Sequence, residues 1–109
     1  MRPIKEEEKN LIIYLLEKLN LNIIDYPISE NVEEYGDVAM GSIGLGDAES
    51  SEYAGDLIQV EYMDSDDIAV VITLTKDTNN KLLDFDFWKV DFSKLIDYPK
   101  PEQLFFKTI

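Results

Sequence analysis

Two aspartates and a tryptophan alternate along one short stretch, at positions 84, 86 and 88. Alternate side chains of a β-strand point to the same face, so Asp84, Asp86 and Trp88 are predicted to follow one another at about 6–7 Å. Glu61, on a neighbouring predicted strand, is expected beside them. Clustered carboxylates can raise one another's pKa, bind a hard cation or act as an acid/base pair. An exposed Trp beside them indicates a binding surface; the alternative is a solvated sheet face, with Trp88 partly covered by the tail.

Other short motifs do not complete the sites that they begin to match. The stretch from Asp64 to Asp67 opens like a calcium loop, but later positions lack the Gly and Glu that such a loop needs, so it is predicted to be an Asp-rich turn. Gly41, Gly44 and Gly46 are not in the order of a nucleotide-binding loop. Ser42 could act as a nucleophile only with a Lys or carboxylate beside it, which the sequence cannot place there, and a small strand residue is the simpler interpretation. The role of the Met40-Gly41-Ser42 segment stays open.

The chain contains neither Cys nor His. Without Cys it can form no disulfide and no thiolate metal site. Without His it lacks the commonest general base, the commonest transition-metal ligand and every Ser-His or Cys-His nucleophilic pair. Its basic residues are not clustered. We therefore expect no organic cofactor, no transition metal and no nucleic-acid binding.

The net charge of −13 is concentrated in the middle of the chain. Residues 19–75 hold 13 acids and no Lys or Arg, whereas the two flanks together hold ten acids and ten bases. Such a block repels phosphate backbones and anionic lipid, and attracts a basic partner or a cation. Solubility alone is the simpler interpretation of the same block.

A change in the spacing of apolar residues divides the chain into a helical part and a β part. The spacing predicts a helix over 3–19, with Pro3 at the first helical position and Asn20 at the end. Residues 29–35 are predicted to form one helical turn. From residue 37 the period is two, and strands are predicted at 38–45, 57–63, 68–75 and 82–90. Turn-forming residues between the last three strands favour an antiparallel meander.

The predicted fold is α+β: an N-terminal helix packed on one face of an antiparallel β-meander of four or more strands. Setting Val60 opposite Val70, and Ile72 opposite Phe85, gives one fully apolar face. The helix is expected on this face, which is formed by Ile58, Val60, Val70, Ile72, Phe85 and Phe87. The opposite face is half polar, with Gln59, Glu61, Val71, Thr73, Asp84, Asp86 and Trp88.

The length of 109 residues fits a single domain over 1–109, in which 99–109 form an extended C-terminal tail. The first apolar run follows three glutamates rather than a basic region, so no signal peptide is predicted. No stretch reaches the roughly 20 apolar residues of a membrane span. We therefore expect a cytoplasmic location.

Four segments of the sequence resemble segments of other proteins. They are Arg2-Pro3-Ile4, Met40-Gly41-Ser42-Ile43, Tyr62-Met63-Asp64-Ser65-Asp66 and, as the best match, Leu83-Asp84-Phe85-Asp86-Phe87-Trp88-Lys89-Val90-Asp91-Phe92. The run Trp88-Lys89-Val90-Asp91-Phe92 is the most specific part. Together they resemble a family of short bacterial proteins classed as a domain of unknown function. The family tends to have Asp-Gly where this chain has Asp66-Asp67, and the resemblance implies no activity. Small acidic proteins of this kind are similar in character to bacterial immunity proteins.

Charge and elimination together predict a small acidic protein-binding module that neutralises a basic partner, as an immunity protein does. Its predicted binding residues are Glu61, Asp84, Asp86 and Trp88. The alternative is a carboxylate-based enzyme, or a binder of a divalent cation or small ligand, that uses the three acids of this set. We expect a binding protein rather than an enzyme, without contacts to nucleic acid or membrane.

Overall fold

The computed structural model describes residues 2–34, 42–45 and 52–106. In these ranges one α-helix, α1 (Glu6–Lys18), accompanies the strands β1 (Arg2–Pro3), β2 (Asn31–Glu34), β3 (Ile43–Gly44), β4 (Tyr53–Met63), β5 (Ala69–Asp77), β6 (Leu82–Lys89) and β7 (Phe105–Phe106). The strands form a sheet in the order β1-β2-β3-β6-β5-β4-β7, and each pairs antiparallel with its neighbours. The predicted α+β class is confirmed, and β4, β5 and β6 form the meander.

Helix α1 begins three residues later than the prediction. Pro3 belongs to strand β1 rather than to the first helical turn, because β1 pairs with β2. The helix starts after Lys5, whose backbone N–H donates to Glu8 Oε1 at 2.8 Å. Asn20, with a φ of 58°, follows the end of the helix as predicted.

The segment between α1 and β4 also differs from the prediction. Residues 31–34, assigned to a helical turn from the sequence, form β2, which is paired on both sides by β1 and β3. Pairing on both sides overrides the weak local preference of so short a segment. Of the strand predicted at 38–45, the described residues 42–45 contain β3 alone, and 38–41 lie outside the described residues.

The register of the meander is shifted by two residues from the prediction, which leaves the side chains on their predicted faces except at the start of β6, where an irregularity beside Leu74 puts Leu82 rather than Leu83 in the core. Val60 pairs with Ile72 instead of Val70, and Ile72 pairs with Phe87 instead of Phe85. A shift by two conserves the face because the side-chain period of a strand is two.

The first hairpin turn explains the shift between β4 and β5, and the second turn together with the irregularity between Leu74 and Lys76 explains the shift between β5 and β6. Both turns are three-residue loops closed by a left-handed residue. That residue is Asp67 (φ 62°) in the first turn and Asn80 (φ 59°) in the second. In each turn its backbone N–H donates to the carbonyl of an aspartate three residues earlier, Asp64 or Asp77. Asp and Asn tolerate positive φ better than most residues, so they determine where each loop is centred.

The core is one cluster of buried side chains from α1 and the three long strands. Its members in these elements are Leu11, Ile12, Leu15, Leu16, Val60, Tyr62, Val70, Ile72, Leu74, Leu82, Phe85 and Phe87. The residues predicted to form the apolar face of the meander are buried, except Ile58, which is half-buried beside a β-bulge. The alternating residues of the same strands therefore form the opposite, outward face.

The C-terminal part of the described chain returns to the sheet. Pro101–Gln103 form one turn of 3₁₀ helix, Leu104 is buried, and β7 pairs with β4. Among the helices in the described ranges, none has the length and apolar composition needed to cross a membrane.

Candidate functional site

An acidic groove lies on the outward face of the meander. It has a volume of about 380 Å³ and is lined by Tyr53, Asp56, Thr73, Thr75, Asp84 and Asp86. Three of these six side chains are carboxylic acids, and none is Lys or Arg. The groove is therefore suited to basic groups.

Hydroxyl groups hold two of these aspartates in place. The backbone N–H of Asp84 donates to Thr75 Oγ1 at 3.0 Å, which ties β6 to β5. The Ser42 hydroxyl donates to Asp86 Oδ1 at 2.5 Å, and its oxygen accepts the backbone N–H of Phe87 at 2.9 Å. Ser42, considered above as a nucleophile, thus positions a carboxylate of the groove.

The other end of the groove comes from the irregular start of β4. The Tyr53 hydroxyl donates to Asp56 Oδ1 at 2.6 Å, and this hydrogen bond raises the pKa of Tyr53 because it stabilises the neutral phenol. Both residues lie outside the strand predicted at 57–63. Register shifts after Tyr53 and after Asp56 break the period-two pattern that would have revealed them.

An apolar patch continues the same face toward the first hairpin turn. Its members are the exposed side chains Met63, Trp88, Val90, Phe92 and Phe105. Phe92 and Phe105 are 63% and 66% exposed, and Trp88 is 44% exposed. The rings of Trp88 and Phe92 lie 6.2 Å apart, centroid to centroid. Large apolar side chains gathered in this way commonly mark a contact surface.

The four residues predicted from the sequence divide between these two areas. Asp84 and Asp86 line the acidic groove. Glu61 pairs with Val71, which pairs with Trp88, so these three residues form a row across the apolar patch. Trp88 follows Asp86 by two residues, which puts the two areas next to each other on β6.

A buried ion pair fixes the end of β6 and turns Trp88 outward. The Nζ atom of Lys89, a fully buried residue, lies 2.8 Å from Asp64 Oδ2 and 2.7 Å from Asp66 Oδ2. Asp64 Oδ2 also accepts the backbone N–H of Ile96 at 2.8 Å. Because Lys89 points inward, the preceding Trp88 points to the opposite face.

Both members of this pair are held in their charged forms. Burial alone would raise the pKa of Asp64, but the backbone N–H of Ile96 and the ammonium of Lys89 hold it well below its usual range. Burial alone would lower the pKa of Lys89, but the carboxylates of Asp64 and Asp66 raise it. These acids thus bind an ammonium group within the protein. In the described ranges, no group of three or more His, Cys, Asp and Glu is placed to hold a metal ion.

The ion pair joins two of the segments on which the resemblance was based, Tyr62–Asp66 and Trp88–Phe92. No curated protein and no solved structure matches the chain. A family model described as a domain of unknown function (DUF6984) matches residues 1–99. The chain therefore belongs to this family.

Proposed function

We propose that this protein binds a basic protein through the outward face of its meander and neutralises it. The acidic groove carries the proposal, because three aspartates line it and none of its described lining residues is Lys or Arg. Lys and Arg side chains of a partner gain charge-assisted hydrogen bonds there. Phosphate groups are repelled, so neither nucleic acid nor anionic lipid is a proposed partner.

We further propose that α1 packs on the apolar face of the meander, which leaves the outward face open to a partner. The buried helix residues Leu15 and Leu16 belong to the same core cluster as Ile72, Phe85 and Phe87, which supports this arrangement. A helix on one face and solvent on the other is common for antiparallel sheets.

The charge of the whole chain supports the same proposal. The acids of residues 19–75 include Asp56 of the groove, and the net charge is −13. A field of this sign speeds encounters with basic proteins and disfavours acidic ones. Binding neutralises the partner if the surface of the partner that is covered contains the partner's own active or binding site.

The test is a pull-down from the protein's own cells at about 0.1 M and about 1 M salt, where the Debye length falls from about 10 Å to about 3 Å. We expect a basic partner that is retained at low salt and depleted at high salt. The double variant Asp84→Lys/Asp86→Lys should lose this partner. Fractionation of the same cells tests the expected cytoplasmic location.

The matched control is Glu17→Lys/Glu102→Lys, which changes the net charge by the same amount at two exposed positions outside the groove. It should retain most of the partner, because only long-range attraction is reduced. Equal retention by both double variants and the wild type at both salt concentrations would contradict the proposal.

A second candidate function rests on the convergence of Asp56, Asp84 and Asp86 in one groove. Such a set could serve a carboxylate-based enzyme or bind a small ligand, and two of its acids together with water could hold a divalent cation, although no three described acids are placed to do so. Glu61, expected in this set, belongs to the row across the apolar patch instead. A calorimetric titration with Mg²⁺ and Ca²⁺ separates the two candidates, since groove binding should disappear in Asp84→Asn/Asp86→Asn.

A further inference from the structure

We propose that the partner docks through one segment with two adjoining halves, an apolar half on the apolar patch and a Lys- or Arg-rich half in the acidic groove. This inference rests on the proposed function. It adds that the partner also has apolar residues, and it places them relative to the basic residues that bind the acidic groove. It follows from the joint placement of the two areas on one sheet face.

The apolar patch is separate from the core that holds the fold together. Its members Phe92 and Phe105 keep about two thirds of their surface in water, while the core behind the same strands contains the fully buried Phe85 and Phe87. Trp88 is at one end of the row that it forms with Val71 and Glu61, and its ring lies next to that of Phe92. Aromatic side chains in such a position are the usual anchors of protein contacts.

The negative charge around the apolar patch indicates which kind of molecule binds there. A second copy of this chain would bring another net charge of −13 against the first, and an anionic membrane would also be repelled. A segment that carries Lys or Arg beside its apolar residues satisfies both areas at once. Electrostatic complementarity therefore points to a basic, amphipathic segment of another protein.

The strand geometry sets the spacing within that segment. Asp84 lies four residues from Trp88 on β6, which corresponds to about 13 Å along the strand. The apolar anchor and the basic residues of the partner must be separated by a similar distance. This equals about nine residues of a helix or about four residues of an extended chain.

The test uses synthetic peptides without Trp, because Trp88 is the single Trp of the chain and reports on the patch directly. One peptide has a Leu- and Phe-containing half followed by a Lys-containing half, and a second has the same composition in scrambled order. A third contains Lys without apolar residues. We expect the ordered peptide to shift the Trp88 emission to shorter wavelength and to bind about tenfold tighter than the scrambled one, as an anchored contact does.

Two variants test the patch while retaining Trp88. Phe92 has a φ of 62°, which Asn tolerates better than Phe, so Phe92→Asn should fold well. This variant and Phe105→Ser should each weaken the ordered peptide roughly tenfold. Ile24→Ser, a change at an 84% exposed apolar residue outside the patch, is the matched control and should bind like the wild type.

Three results overturn the inference: no binding of the ordered peptide, equal binding of ordered and scrambled peptides, or patch variants that bind like the wild type. If the Lys peptide then binds as tightly as the ordered one and Asp84→Lys/Asp86→Lys abolishes binding, the proposed function stands without the apolar half. If no peptide binds and the pull-down finds no basic partner, both proposals fail.

Discussion

At the scale of single residues, the Lys89 ammonium and the Asp64 carboxylate are both shielded from water. Removing two charges from water is costly unless their remaining hydrogen-bonding capacity is satisfied. Here it is, because Asp64 also accepts N–H groups from Ser65, Ile96 and Asp97 and the hydroxyl of Tyr62. The pair joins the first hairpin turn, the end of β6 and the segment before the 3₁₀ turn.

We predict that Asp64→Asn lowers the free energy of unfolding at neutral pH by about 3 kcal/mol, since Lys89 then loses its buried carboxylate partner and keeps the partly exposed Asp66, and an amide NH2 replaces one of the two acceptor oxygens of Asp64. Urea unfolding followed by circular dichroism measures the loss. Asp25→Asn, at an exposed carboxylate, is the matched control and should change stability by less than about 0.5 kcal/mol. A small loss for Asp64→Asn would show that the ion pair is not important for stability.

The contribution of Asp64 is also predicted to depend on pH. Its pKa in the folded protein is depressed, whereas the unfolded chain takes up this proton near an ordinary Asp pKa of about 4. The stabilisation is therefore fully present above about pH 4 and is lost as the pH falls through the folded-state pKa. Urea unfolding at about pH 7, 5 and 3 should give a constant difference between wild type and Asp64→Asn at the upper two values, and a smaller one at the lowest. A difference that grows on acidification would contradict the assignment.

At the scale of elements, the first hairpin turn sets the register of β4 against β5, and its left-handed residue fixes where the loop is centred. Asp67 carries a Cβ at a φ of 62°, where glycine is less strained. We predict that Asp67→Gly raises the free energy of unfolding by about 0.5 kcal/mol, measured by urea unfolding. Asp66→Gly, one residue earlier in the same turn, should instead destabilise, since it removes a carboxylate from Lys89. The same sign for both variants would contradict this account of the turn.

At the scale of the whole molecule, the acidic charge favours association with basic proteins but opposes the compact state. We predict that raising sodium chloride from about 0.01 M to about 0.15 M stabilises the fold by roughly 1 kcal/mol, or about 4–8 °C in Tm, because repulsion among exposed acids is screened. Differential scanning calorimetry measures the shift. The increment should persist in Asp64→Asn, since its ion pair is buried. A fall in Tm over this range would mean that exposed ion pairs outweigh the repulsion.

The sequence by itself was sufficient to predict the helix, the three long strands and the faces of most side chains in the meander. Apolar periods of about 3.6 and of two are local properties, and even a two-residue error in register left Val60, Ile72 and Phe87 on the core side. The same alternation put Asp84, Asp86 and Trp88 on one outward face.

Other features of the fold and of the site depend on tertiary structure, and the spacing of apolar residues does not predict them. The bulges of β4 brought Tyr53 and Asp56 to the groove, and the return of the chain to β4 brought Phe105 to the patch. Pairing on both sides made a strand of residues 31–34. Each of these results depends on contacts between residues distant in sequence, and such contacts leave no local period. The ion pair of Lys89 also depends on tertiary structure. Strand alternation directs the Lys89 side chain inward, and its buried charge is stable only because the fold places the Asp64 carboxylate beside it.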